Sequence, residues 1–141
     1  MIKLEKVPDD VRQRFPRLVQ ALEEDRRIIF AYLFGGFAGD EPTPLSDIDI
    51  AVYLVNMERL SEDKLDLFDK LSDLLGTSEI DLVILNTAPL SLAGRILRKR
   101  LVLVDKEPFR RHQYESLTLR EFFDFSKKED ALFGSRYGNA G

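Results

Sequence analysis

The chain has 141 residues, 44% of them hydrophobic and 33% charged, which is enough apolar material for one globular domain with its own core. Lys and Arg number 21 against 25 Asp and Glu, so the net charge of -4 excludes a dominant electrostatic grip on nucleic acid. Cysteine is absent, which removes disulfides, thiolate metal sites and thiol nucleophiles from consideration.

The opening stretch MIKLEKVPDD lacks the apolar core of a secretory signal. No apolar run approaches the roughly 18 residues that a membrane helix needs. The expectation is a soluble, cytoplasmic protein that engages no membrane. Val11, Phe15, Leu18 and Leu22 recur at helical spacing with Pro16 among them, which predicts a short first turn and then a helix to about Asp25. Residues 28–34, IIFAYLF, are β-branched, aromatic and apolar, and they stop at Gly35-Gly36, as a buried strand does. A loop with Gly39, Pro42 and Pro44 follows.

From 47 to 54 the residues alternate, with Ile48, Ile50, Val52 and Leu54 on one face and Asp47, Asp49, Ala51 and Tyr53 on the other. This is a strand with a core face and a site face. Ser61 is expected to cap the next helix, with Leu60 and Leu65 as a hydrophobic staple and Leu65, Phe68, Leu71 and Leu75 as its apolar stripe. Gly76 ends it. Residues 80–85, IDLVIL, read as a third strand carrying one charge, Asp81, whose burial would need a reason. A short helix at 90–97, a strand at 101–104 and a long helix at 108–127 complete the order, and 134–141 reads as frayed. The elements describe an α/β or α+β fold in one domain, residues 1–130, followed by a flexible tail, 131–141.

Asp47 and Asp49, two apart on a strand, project from one face about 6 to 7 Å apart at the backbone. Hard divalent cations favour such a pair, and Mg²⁺ completes its shell with water and substrate phosphates. Asp81, on the next strand, can join them if the strands are neighbours. Three clustered carboxylates repel unless a cation neutralises them. Gly35-Gly36 ends a strand where backbone N–H groups can approach a phosphate. Singly these features read as a solvated pair, an edge charge and a turn. Their joint order and spacing point to phosphoryl or nucleotidyl transfer.

Gly35-Gly36, ten residues, then Asp47-Ile48-Asp49 resembles the Gly-Ser, ten residues, Asp-x-Asp signature of the DNA polymerase β-like nucleotidyltransferases. Ser46-Asp47-Ile48-Asp49-Ile50-Ala51-Val52 resembles the strand that carries their aspartates. The short length and the C-terminal segments Arg95-Ile96-Leu97, Leu101-Val102-Leu103-Val104-Asp105, Arg110, Tyr114-Glu115 and Phe122-Phe123-Asp124-Phe125 resemble minimal nucleotidyltransferases, the MntA-like antitoxins that act beside HEPN-domain HepT toxins. The resemblance covers about residues 10–127.

It implies a nucleotidyltransferase fold, a small mixed β-sheet flanked by helices with a long C-terminal helix. By the same resemblance, Asp47, Asp49 and Asp81 hold two Mg²⁺ ions, Asp81 acts as general base, and Gly35, Gly36 and Ser46 contact ATP. The implied reaction transfers AMP to a tyrosine of a partner toxin, with which the chain forms a hetero-oligomer, and so blocks its RNase activity. Two positions depart from the family pattern: Gly36 stands where Ser is usual, and Gly39 where a basic residue is common. Loss of the hydroxyl removes one phosphate hydrogen bond, about 0.5 to 3 kcal/mol.

Among the remaining residues, the lone His112 is expected at the surface, and Tyr32 and Tyr53 in packing. The cluster Arg95, Arg98, Lys99 and Arg100 reads as a solvated face, or as a patch for an acidic partner or for nucleotide phosphates. Tyr114, Leu117, Phe122, Phe123 and Phe125 are expected mostly in the core, with a strip left for a partner.

Overall fold

The computed structural model describes residues 11–38 and 47–136. Val11–Arg14 makes a 3-10 turn before helix α1 (Phe15–Glu24), with Pro16 in the first turn, where its missing N–H costs nothing. The apolar run 28–34 becomes strand β1 (Ile28–Phe34), buried at six of its seven positions. A 3-10 turn, Gly35–Ala38, leaves it. The alternating segment becomes β2 (Ile48–Leu54), followed by α2 (Leu60–Leu75), β3 (Ile80–Ile84), α3 (Leu90–Arg98), β4 (Arg100–Asp105) and α4 (Pro108–Arg136).

The sheet runs in the order β3-β2-β1-β4. β1 is antiparallel to both its neighbours, while β2 and β3 are parallel, which requires a crossover, supplied by α2. The alternation of β2 sorts side chains to the two faces as expected. Ile48, Ile50, Val52 and Leu54 pack with Leu18 and Leu22 of α1 and with Leu67, Leu71 and Leu75 of α2. Ala51 and Tyr53 lie on the opposite face with Phe30, Tyr32, Ile96, Leu97 and Tyr114, under α3 and α4. A mixed sheet with helices on both faces is therefore the architecture, within the α/β or α+β class expected from the element order and in the form the resemblance implied.

Several details differ from the sequence reading. Ser61 does not cap α2: the helix begins two residues earlier than that cap would place it, with Arg59 at the cap, so Ser61 lies inside the first turn. Glu62 and Asp63 occupy that turn and complement the positive helix end. Leu65 is 64% exposed, and the inward stripe runs through Leu67, Leu71 and Leu75 with Leu60 and Phe68 partly buried against it. Gly76 does end the helix, at φ 70°, a left-handed conformation that favours glycine.

α4 continues to Arg136, well past 127, so Gly134 belongs to a helix, and 137–141 fall outside the described residues. Of its apolar side chains Phe122 is buried and Tyr114 half-buried, but Leu117, Phe123 and Phe125 are exposed. Among the described residues no helix is long and apolar enough to cross a membrane.

α3 packs against α4 at Gly94, where an added Cβ would strike the Phe122 ring. Gly94→Ala is expected to destabilise the fold by about 1–3 kcal/mol through overpacking, measured by urea unfolding. A variant as stable as the parent would mean that the Phe122 ring can move aside freely.

Candidate active site

At the exit of β1 the chain turns at Gly35, whose φ of 68° is open to glycine at little cost. Space imposes the same choice, because an added Cβ would collide with Oδ2 of Asp49. The Asp49 carboxylate thus lies directly against the backbone of the turn. Phe34 of β1 is the register partner of Asp49, and Asp49 is the register partner of Asp81 on β3. On the other side of β1, Phe34 pairs with Arg100 of β4. Register partners project from the same face, with neighbouring strands about 4.8 Å apart, so Arg100, Phe34, Asp49 and Asp81 form one row across the sheet, on the α3/α4 side.

Asp49 is partly buried and Asp81 exposed, so Asp81 needs no compensation for burial, contrary to the concern raised by its apolar neighbours. Asp47 immediately precedes β2 and is partly buried. Gly36 is exposed within the 3-10 turn. Ser46 and Gly39 lie outside the described residues. The strand neighbours thus bring Asp49 and Asp81 together. Among the described residues, however, no three carboxylates or imidazoles converge closely enough to hold a metal ion by themselves. The donor chemistry of Asp47, Asp49 and Asp81 is that of a hard cation, and Mg²⁺ takes only one or two carboxylates when phosphate oxygens complete its shell.

The expectation of a solvated basic face fails at Arg100. Its guanidinium lies 5.4 Å from the Tyr32 ring centroid, donates to the Leu97 carbonyl at 2.9 Å and pairs with Glu115 at 2.7 Å. Glu115, buried on α4, also accepts from Tyr32 Oη at 2.6 Å and from Arg111 at 2.9 Å, and Arg111 reaches Asp105 at 2.8 Å. Burial works to raise the Glu115 pKa, but the bonds from Tyr32, Arg100 and Arg111 outweigh it and hold the carboxyl below its ordinary value. Burial raises Tyr32, and the adjacent carboxylate adds to the effect. Tyr114 is pushed up to about 12, chiefly by burial.

A reading based on apolar periodicity passes over this network because charged residues occupy the inner face. Arg111, Glu115, Thr118 and Phe122 follow helical spacing, and an Arg–Glu pair four apart was the available signal. Arg95, Arg98 and Lys99 are exposed, as is His112, which contacts Arg111 at 3.1 Å. Tyr32 is fully packed, and Tyr53 stacks on Phe30 at 4.8 Å beneath the Arg110 guanidinium.

A small mixed sheet that sets acidic side chains of two adjacent strands beside a glycine turn, with helices on both faces, is the nucleotidyltransferase fold. The sequence profile described as "Polymerase beta, Nucleotidyltransferase" matches residues 17–109, more than half of the chain, and the chain belongs to that family. No curated protein matches it in sequence. Among solved structures, one described as the tri-AMPylated Shewanella oneidensis HEPN toxin in complex with MNT antitoxin is similar at 19% identity and TM-score 0.67, over 90% of this chain and 98% of that one. A toxin–antitoxin complex named MntA-HepT is similar at 20% identity and TM-score 0.58, over 91% and 97%. A third, a toxin–antitoxin with AMP-PNP, gives 19% and 0.56, over 90% and 95%. The likeness to these structures is one of fold.

Proposed function

We propose that this chain is the antitoxin of a HEPN-domain RNase toxin and neutralises it by transferring AMP from ATP to a toxin tyrosine. The observation that carries the reading is the register pairing of Asp49 with Asp81 against the Gly35 turn, in a member of a nucleotidyltransferase family. The AMPylated toxin in one similar complex supports a HEPN protein as acceptor, and AMP-PNP in another supports an adenine nucleotide as donor.

In this reading Gly35, Gly36 and Ser46 contact the triphosphate, and Asp47, Asp49 and Asp81 are the residues that would hold two Mg²⁺ ions. Bound Mg²⁺ supplies neutralisation of the charge that develops on the phosphates. Asp81 accepts the proton of the acceptor hydroxyl as its oxygen bonds to the α-phosphorus, and the bond from that phosphorus to the pyrophosphate oxygen breaks. Complex formation with the toxin takes place in the cytoplasm.

The test is to express the chain with its co-purifying partner, add Mg²⁺ and ATP labelled on the α-phosphate, and follow label into protein. Label on the partner is expected, and it should vanish in the Asp47→Asn, Asp49→Asn double variant. A stable complex that binds metal but never takes label would overturn AMP transfer in favour of neutralisation by occlusion, with Gly36→Ser the first change to try.

A further inference from the structure

We propose that the outer edge of β3 is the acceptor-binding groove: an extended segment of the acceptor protein lies there as an added strand, with its hydroxyl-bearing residue opposite Asp81. The inference rests on the nucleotidyl transfer proposed above and names how its protein substrate is held. β3 is the last strand of the sheet on that side, with no strand beyond it among the described residues. Its edge is the floor of a groove of about 340 Å³, lined by Leu60 and Lys64 of α2, by Ala88 just before α3 and Leu92 within it, and by Asp81.

The peptide groups show what the floor can bind. Ile48 N–H donates to Glu79 C=O, so in the parallel ladder the odd-numbered residues of β3 turn their peptide groups toward β2 and the even-numbered ones turn theirs outward. Of the outward groups, the Ile80 N–H is used locally by the Ser78 carbonyl at 2.8 Å, and the Ile84 carbonyl faces Thr87 Oγ1 at 3.5 Å. The N–H and C=O of Leu82 stand between them, in the middle of the groove. Such a pair is the recognition element of strand addition, in which main-chain bonds give affinity and alternate side chains give specificity.

Register then places the chemistry. A residue opposite Asp81 on an added strand projects from the same face as Asp81 and Asp49, with its Cβ about 5 Å from that of Asp81. A hydroxyl there continues the row formed by Phe34, Asp49 and Asp81. Backbone pairing thus sets the acceptor residue beside Asp81 on the same face of the sheet, without a pocket shaped to one side chain. Leu60, Ala88 and Leu92 offer apolar surface to alternating apolar residues of the segment.

The experiment follows the backbone amides of the whole chain by NMR while a short synthetic peptide is added, alternating valine and threonine around one central tyrosine, without nucleotide. Saturable shifts and slowed exchange at Leu82 and Ile84 are expected. Methylation of the peptide nitrogens around the tyrosine should weaken binding about tenfold or more, since each methyl removes a main-chain donor to the β3 edge. Ala88→Arg should abolish binding while leaving the sheet resonances in place. No saturable shift in β3, shifts confined to the groove walls, or equal binding of the methylated peptide would each overturn the groove.

A second arm adds Mg²⁺ and ATP labelled on the α-phosphate. A peptide that binds β3 but takes no label would leave the groove standing and count against AMP transfer. Equal labelling of methylated peptide, or by the Ala88→Arg variant, would do the reverse.

Discussion

Asp81→Asn is expected to lower AMP transfer by about 10²–10⁴-fold while thermal stability stays close to that of the parent chain. Asn keeps the shape of the side chain and can still donate or accept a hydrogen bond, but it cannot take the proton of the acceptor hydroxyl. Asp81 is exposed at the sheet edge, so nothing in the core depends on its charge. The discriminating measurement is kcat for label transfer beside the Kd for ATP. Unchanged transfer would show that another group accepts the proton, and joint loss of transfer and ATP binding would show that Asp81 acts mainly in holding the nucleotide.

Glu115→Ala should cost about 3–5 kcal/mol, because it leaves two partly buried guanidinium groups without their shared carboxylate. Arg100 and Arg111 side chains are only 24% and 13% exposed, so water replaces little of what is lost. The Tyr32 hydroxyl loses its acceptor as well, in a residue that is fully buried. Glu115→Gln should retain part of the stability through its carbonyl oxygen.

The sign of the pH effect follows from the lowered folded-state pKa of Glu115. Its contribution is complete above the ordinary value of 4.5 and is lost as pH falls through the lower folded-state value. Asp25 behaves in the same direction, with the bonds from Arg27 and Lys70 outweighing its burial. Urea unfolding of parent and Glu115→Ala at pH 7 and pH 3 should therefore show a difference that shrinks in acid. A difference independent of pH would mean that the carboxylate charge is not what stabilises the cluster.

The sheet was largely legible because its signals are local. Seven β-branched, aromatic and apolar residues closed by two glycines suit a buried strand, and strict alternation assigned Asp49 to the face opposite Ile48 and Ile50 before any neighbour was known. Pairing was not local. That β2 and β3 are adjacent, which sets Asp49 beside Asp81, follows from a crossover whose two ends do not announce each other in the sequence. The inner face of α4 was read poorly for a different reason: it satisfies burial with charge, through Arg111 and Glu115, where a periodicity search looks for apolar residues. Leu65 misled in the converse way, as a large apolar residue that helical phase turns to solvent. The spacing of Gly35-Gly36 and the Asp47/Asp49 pair was legible in the sequence, whereas the contact of Gly35 with Asp49 required coordinates.

The position of β1 at the centre of the sheet has a consequence for the order of folding. β1, β2, α2 and β3 are contiguous in sequence and can assemble as a hairpin followed by a crossover as soon as they leave the ribosome. The other side of β1 closes only against β4, whose pairing of Asp105 with Phe30 spans every element between them. Until that late, high-contact-order step the most apolar strand in the chain keeps one edge open, so nascent chains truncated before Arg100 should be the species most prone to aggregate.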